Sequence, residues 1–205
     1  MVPGGSENME GAGAIAMKRL LIVVDNQKDF VDGSLGFPGA EELEGRIAEK
    51  IAAYRATGDE IVFTLDTHHR DYLRTQEGRN LPIEHCIDGT PGHELYGEVA
   101  LMVRDSDGVF KKPSFGSVEL FERLRASQRT ADSLGSQPFA SIELVGLVSN
   151  ICVISNAVLA KTACPEVPVI VDASCTGSSN GKLHEAALDV MEGLQIQVIN
   201  RSISS

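Results

Sequence analysis

SIELVGLVSNICVISNAVLAKTA, residues Ser141–Ala163, contains two structural elements and the turn that joins them. Ile142–Leu147 is a short apolar run broken only by Glu143 and Gly146, and its length predicts a buried strand. Ser149–Asn150 is a small polar turn, and the apolar segment after it predicts a buried helix. Cys152 falls at the junction, in or just before the first helical turn. Unpaired backbone N–H groups and the positive end of the helix dipole gather there, and both favour a thiolate over a thiol. Two readings of Cys152 stand together. It is a nucleophile raised on a strand–turn–helix mount, or a small buried hydrophobe of the kind most free cysteines are.

The rest of the chain repeats the alternation. Lys18–Val24 is an aliphatic strand that ends on Asp25, and Glu60–Leu65 is a second that ends on Asp66. Asp107–Lys112 predicts a third strand, closing on two lysines before Pro113. Val167–Val171, ending on Asp172, and Gln195–Ile199 predict two more. Between them, Glu41–Thr57, Val118–Ala126 and Lys182–Glu192 carry apolar residues at helical spacing, with Gln128–Gln137 as a polar connector. The pattern predicts an α/β fold: a three-layer, doubly wound sheet of about six mostly parallel strands with helices on both faces. Ligands of such sheets bind outside the carboxyl ends of the strands. Asp25, Asp66, Lys112, Cys152 and Asp172 all fall at those ends, so several can converge on one crevice.

Composition narrows the functional classes. A chain of 205 residues with 42% hydrophobic and 23% charged residues is ordinary for one globular domain. We expect that domain over 17–205 and a disordered extension over 1–16, which is rich in Gly and small residues. A net charge of −11 argues against nucleic-acid and anionic-membrane surfaces. The four cysteines are widely spaced with no CxxC pair, which points to reduced thiols in a cytoplasmic protein. No GxGxxG or Walker-type glycine loop follows a strand, so nucleotide binding has no motif behind it.

Two constellations carry chemistry. Asp25, Lys112 and Cys152 supply a base, a cation and a thiol at three strand ends. The lysine would keep the acid ionised in a dry crevice and would favour thiolate. Asp66-x-His68-x8-Glu77-x7-His85 places two imidazoles and two carboxylates in a long polar stretch, Thr67–Gly92, that begins at a strand end. That donor set suits a divalent ion such as Zn²⁺, Mn²⁺ or Fe²⁺. His69 and His93 lie nearby, and solvated histidines are common. His69 would point away from His68 in extended backbone.

These residues resemble the isochorismatase-like cysteine hydrolases, and within them the nicotinamidase branch. Asp25-Asn26-Gln27-Lys28-Asp29-Phe30 resembles the family's opening DxQNDF motif, and Leu65–His68 its D-x-H metal motif. Leu81–Cys86 with Gly89–Gly92 is similar to the nicotinamidase P-x-H-C…G-T-x-G segment. Gly146–Val153 is similar to the G-x-x-T-D-x-C-V nucleophile turn. The resemblance implies Cys152 as nucleophile, Asp25 as general base and acid, and Lys112 as the third triad member. It implies a cis peptide between Leu147 and Val148, with the N–H groups of Val148 and Cys152 as the oxyanion hole. Asp66, His68, Glu77 and His85 would ligate a divalent metal, zinc first, with manganese or iron as alternatives. Phe30 would stack on the substrate ring beside Leu81. The implied reaction is hydrolysis of nicotinamide through a cysteine thioester, or of another small amide or ureido compound, and the implied assembly is a homo-oligomer; a catalytically idle binding relative is the alternative of a different class. Lys28 stands where the family usually has Asn, and Ser149–Asn150 replaces Thr–Asp. Leu81 lies where many nicotinamidases place a Trp, so that wall is aliphatic.

Overall fold

The computed structural model describes residues 17–201, so the expected extension over 1–16 lies outside the described residues. Among those residues a six-stranded sheet runs β3-β2-β1-β4-β5-β6, with every neighbouring pair parallel. The strands are β1 Leu20–Val24, β2 Glu60–Asp66, β3 Gly108–Lys112, β4 Ile142–Leu147, β5 Val169–Gly177 and β6 Gln197–Ile199. The helices are α1 Lys28–Val31, α2 Leu43–Ala56, α3 Gln76–Asn80, α4 Gly97–Leu101, α5 Val118–Ser133, α6 Ile154–Ala163 and α7 Gly181–Gly193. No helix among the described residues is long and apolar enough to cross a membrane.

Alternate residues of the central strands feed two cores, which makes the fold three layers. Leu20, Ile22 and Val24 pack with Leu124 of α5, Ala157 and Ala160 of α6, and Leu188 of α7. Leu21, Val23 and Val145 face the other way, onto Ile47, Ile51 and Tyr54 of α2. A strand covered on both faces must be apolar throughout, and all five residues of β1 are fully buried. The strand order reverses between β1 and β4, so their carboxyl ends open onto a crevice. Gly146 is required where those ends meet. Its φ is +108°, and a Cβ there would stand 2.0 Å from the Val24 carbonyl oxygen.

Three expectations change. The polar segment after Ala126 is not a connector, because α5 continues to Ser133. The residues of its last turns are mostly exposed, with Ala131 alone turned inward, so they carry no apolar period to read. The stretch Thr67–Gly92 is not bare loop but contains α3 and two short 3₁₀ turns. Asp172 is not at a strand end. β5 runs on to Gly177, after a register shift against β4 between Leu144 and Gly146. Asp172 lies mid-strand and pairs with Lys50 at 2.7 Å, away from the crevice.

Candidate active site

β1 and β3 deliver the first pair of groups. Asp25 directly follows β1 in a left-handed backbone conformation (φ 42°), tolerated best by Asn, Asp and Gly. Lys112 is the last residue of β3, and only 1% of it reaches solvent. Its ammonium lies 2.7 Å from Asp25 Oδ2, 3.2 Å from Asp66 Oδ1 and 3.4 Å from Cys152 Sγ, and it donates to the Ser114 carbonyl at 3.0 Å. The Thr64 hydroxyl donates to Asp25 Oδ1 at 2.6 Å. Asp25 Oδ2 is an ion-pair partner by distance, yet it lacks a hydrogen bond of good geometry and keeps acceptor capacity.

The Cys152 turn follows β4. The Leu147–Val148 peptide is cis, as the resemblance implies. Ser149–Val153 winds as a single π-helical turn before α6 begins at Ile154, and such turns occur disproportionately at functional sites. The expected thiolate at this helix start is corrected. Burial raises the Cys152 thiol well above its ordinary value, and the Asp25 charge raises it further, while Lys112 only partly offsets them. Burial likewise pushes the Asp25 carboxyl up, and Lys112 pulls it part of the way back. Burial opposes the charge on Lys112, but the carboxylates of Asp25 and Asp66 hold it firmly protonated. With one fixed cation and two acids, the resting proton stays on sulfur.

Asp66, His68 and His85 converge on one point, with a donor atom from each lying within 4.8 Å of the others. Asp66 Oδ2 is 3.0 Å from His68 Nε2 and 3.4 Å from His85 Nε2, while Glu77 Oε1 stands 3.8 and 3.9 Å from the same nitrogens. The donor set fits a divalent ion. The other nitrogen of His85 lies 2.8 Å from the Ile83 carbonyl, so Nδ1 donates there and the ring is held with Nε2 toward the cluster. Burial raises the Asp66 carboxyl, but hydrogen bonds to His68 and His85 and the Lys112 charge bring it below the ordinary range. Glu77 is placed by α3, whose N-terminus is capped by the Thr75 hydroxyl at 3.0 Å from the Gly78 N–H. His69 is not in the cluster, as its extended-backbone geometry predicts.

Several supporting residues carried no separate signal in the sequence. Gln27 accepts from the Asp66 N–H at 2.7 Å and donates to the Asp66 and His93 carbonyls. Asp29 accepts from the Cys86 N–H at 2.7 Å, which anchors the chain next to His85. Tyr72 packs against both ligand imidazoles, with ring centroids 4.6 Å from His68 and 4.9 Å from His85, and its hydroxyl holds the Leu81 carbonyl. Lys28, the departure from the opening motif, pairs with Glu94 at the surface rather than facing the site.

A cavity of about 190 Å³ joins the two constellations. Cys152 and Val148 border it on one side, Asp66, Glu77 and His85 on another, and Phe30 and Leu81 stand at its wall as expected. Leu35, Ile151, Phe115 and Ser179 also line it and were not predicted as contacts. Its volume is below the roughly 300–1,000 Å³ of drug-sized pockets, so its occupant is small.

Residues 19–202 match the family described as the isochorismatase domain. The nicotinamidase of Acinetobacter baylyi is 25% identical over 205 aligned positions, covering 89% of this chain and 93% of that one. The crystal structure of a nicotinamidase/pyrazinamidase from Bacillus subtilis superposes with a TM-score of 0.75 at 28% identity, over 89% of this chain and 99% of its own. A pyrazinamidase of Pyrococcus horikoshii, solved in complex with zinc, gives a TM-score of 0.73 at 23% identity over 90% of this chain and 99% of that one.

Proposed function

The chain belongs to the isochorismatase family of hydrolases, and from that premise we propose that it is a cysteine amidohydrolase converting nicotinamide to nicotinate and ammonia. The observation that carries the proposal is the single small cavity bordered by Cys152 and by Asp66, Glu77 and His85. Such a cavity suits a compact molecule with an acyl carbon at one end and a lone-pair donor at the other. A pyridine or pyrazine carboxamide has that form. The nicotinamidase relatives lend the same substrate class further support.

Cys152 is neutral at rest, so its proton leaves as the sulfur attacks the carboxamide carbon. The open lone pair on Asp25 Oδ2 receives that proton. The N–H groups of Val148 and Cys152 take the developing oxyanion, and such donors contribute about 3 kcal/mol each. Asp25 then gives the proton to the departing amine, ammonia leaves, and a Cys152 thioester remains. Water, deprotonated by Asp25, attacks that thioester. The carboxylic acid is released and the thiol restored. Lys112 holds its charge throughout and keeps Asp25 able to accept a proton. Phe30 offers a ring face and Leu81 an aliphatic wall to the substrate.

Asp66, His68, Glu77 and His85 would hold a divalent ion, zinc on the donor chemistry with manganese or iron as alternatives, and the ion would supply a Lewis acid able to accept a ring-nitrogen lone pair. We place the reaction in the cytoplasm of a homo-oligomeric enzyme, where nicotinate suits pyridine nucleotide salvage. A second reading, another small amide or ureido substrate, is favoured by the aliphatic contacts from Leu35, Leu81 and Ile151.

Ammonia release from nicotinamide, pyrazinamide and aliphatic amides, measured for the parent and Cys152→Ala with metal analysis of each preparation, tests the proposal. We expect release from the ring amides by the parent alone, falling on chelation and returning with zinc. Equal rates from the two proteins would remove Cys152 from the mechanism.

A further inference from the structure

Asn156 sits in the first turn of α6, with only 2% of its surface exposed. Its side chain uses both donors and its acceptor, always on backbone. Nδ2 donates to the Cys152 carbonyl at 2.8 Å and to the Phe115 carbonyl at 3.1 Å, and Oδ1 accepts from the Ser117 N–H at 3.0 Å. Exchanging oxygen and nitrogen would set a carbonyl against two carbonyls, so the network fixes the amide's orientation. The bonds reach two residues of one distant loop, 39 and 41 positions away, as well as the nucleophile turn itself.

The far partner is the loop between β3 and α5, which serves the site twice. Phe115 lines the cavity, and the Ser114 carbonyl accepts from Lys112 Nζ. Lys112 Nζ also bridges the Ser114 carbonyl and Cys152 Sγ. Gly116 approaches the side chain of Leu159 on α6, an apolar contact without direction. Hydrogen bonds fix orientation where such contacts do not, and displacements near 1 Å can cost on the order of 10²-fold in rate.

We propose that Asn156 is the positioning residue that locks the Cys152 turn to the Ser114–Ser117 loop, setting Phe115 and the Lys112 anchor relative to the nucleophile. The proposal rests on Cys152 being the reacting group. Replacement by Thr separates the two halves of the network. A Thr hydroxyl in a helix bonds the carbonyl four residues back, here Cys152, but cannot also reach Phe115 and Ser117.

The experiment compares the parent with Asn156→Thr and, as a smaller alternative that keeps the same bond, Asn156→Ser. Each is treated with iodoacetamide at one fixed pH, and modification of Cys152 and Cys164 is followed by mass spectrometry. Cys164 is fully buried at the carboxyl end of α6, away from the loop, and reports general loosening. Freeing the loop uncovers Cys152 alone, so its rate relative to Cys164 rises at least about fivefold. In steady-state hydrolysis KM rises about tenfold, with a smaller change in kcat, because Phe115 is a wall of the cavity. A purely structural role lowers the melting temperature but leaves both the labelling ratio and KM within twofold, and that result overturns the proposal. If the parent hydrolyses no amide, the functional reading fails, and the labelling ratio still decides the role of Asn156.

Discussion

Lys50 offers the sharpest test of what holds this sheet together. It reaches from α2 to two acids on neighbouring strands, 2.7 Å from Glu143 Oε1 of β4 and 2.7 Å from Asp172 Oδ2 of β5. The Tyr54 hydroxyl donates to Glu143 at 2.6 Å, and Ser174 and Asn200 donate to Asp172. Lys50→Met keeps the stem and removes the charge, leaving two buried acids with no cation. Breaking a buried pair in this way costs about 3–5 kcal/mol, and we take the lower end because 21% of the lysine side chain remains exposed. At about 2–4 °C per kcal/mol for a chain of this size, the melting temperature falls by roughly 6–12 °C. The sign of the pH dependence follows from Asp172. Burial raises its carboxyl, but Lys50, Ser174 and Asn200 bring it net below the ordinary value. A depressed folded-state pKa gives stability that is complete above the unfolded value near 3.9 and is lost as pH falls through the folded value. Without Lys50 the Asp172 shift reverses. The folded variant then takes up a proton before the unfolded chain does, so its deficit against the parent shrinks from pH 7 to pH 5. Thermal melts at both pH values measure this, and Lys50→Met combined with Asp172→Asn recovers part of the loss. A deficit under about 2 °C, or one that does not change with pH, would refute the reasoning.

Two substitutions at the site complete the set. Asp29→Asn weakens the hold on the Cys86 N–H beside His85, and zinc affinity by competition titration drops roughly 10–100-fold, as for other groups that orient ligands; unchanged affinity would count against that role. Lys112→Met removes the charge that keeps Asp25 ready as a base, so kcat falls by about 10²–10⁴-fold in protein verified as folded, and a kcat within tenfold of the parent would contradict it.

What the sequence made legible follows from where the information resides. The strands of a sheet covered on both faces must be continuous apolar runs, so β1, β2 and β4 could be located almost to the residue. The fold rule then gathered Asp25, Asp66, Lys112 and Cys152 from separate strand ends, and the structure brings those four together. Asp172 failed because β5 continues through Ala173-Ser174-Cys175-Thr176, residues with no strong strand signature that the register shift accommodates. Gln27, Asp29, Tyr72 and Asn156 gave no local signal of their own roles. Their partners lie 39 positions away in the case of Gln27 and Asp66, and 57 for Asp29 and Cys86, and a polar residue facing a distant backbone group has no period to betray it.

The Cys152 proton shows why local reasoning can have the wrong sign even where the fold rule brings the side chains together. A cysteine at a helix start has every local reason to ionise. The helix end supplies a partial charge, however, whereas Asp25 supplies a full one in a place that water does not reach. Lys112 can neutralise one anion, and its ammonium stands nearer the carboxylate, at 2.7 Å, than the sulfur, at 3.4 Å. The carboxylate therefore holds the lysine and the sulfur keeps its proton. In the proposed reaction, attack on substrate would move negative charge from the Cys152–Asp25 pair toward the carbonyl oxygen. The competition for Lys112 would then ease, and the same arrangement that suppresses the thiolate at rest would favour proton transfer to Asp25 during attack.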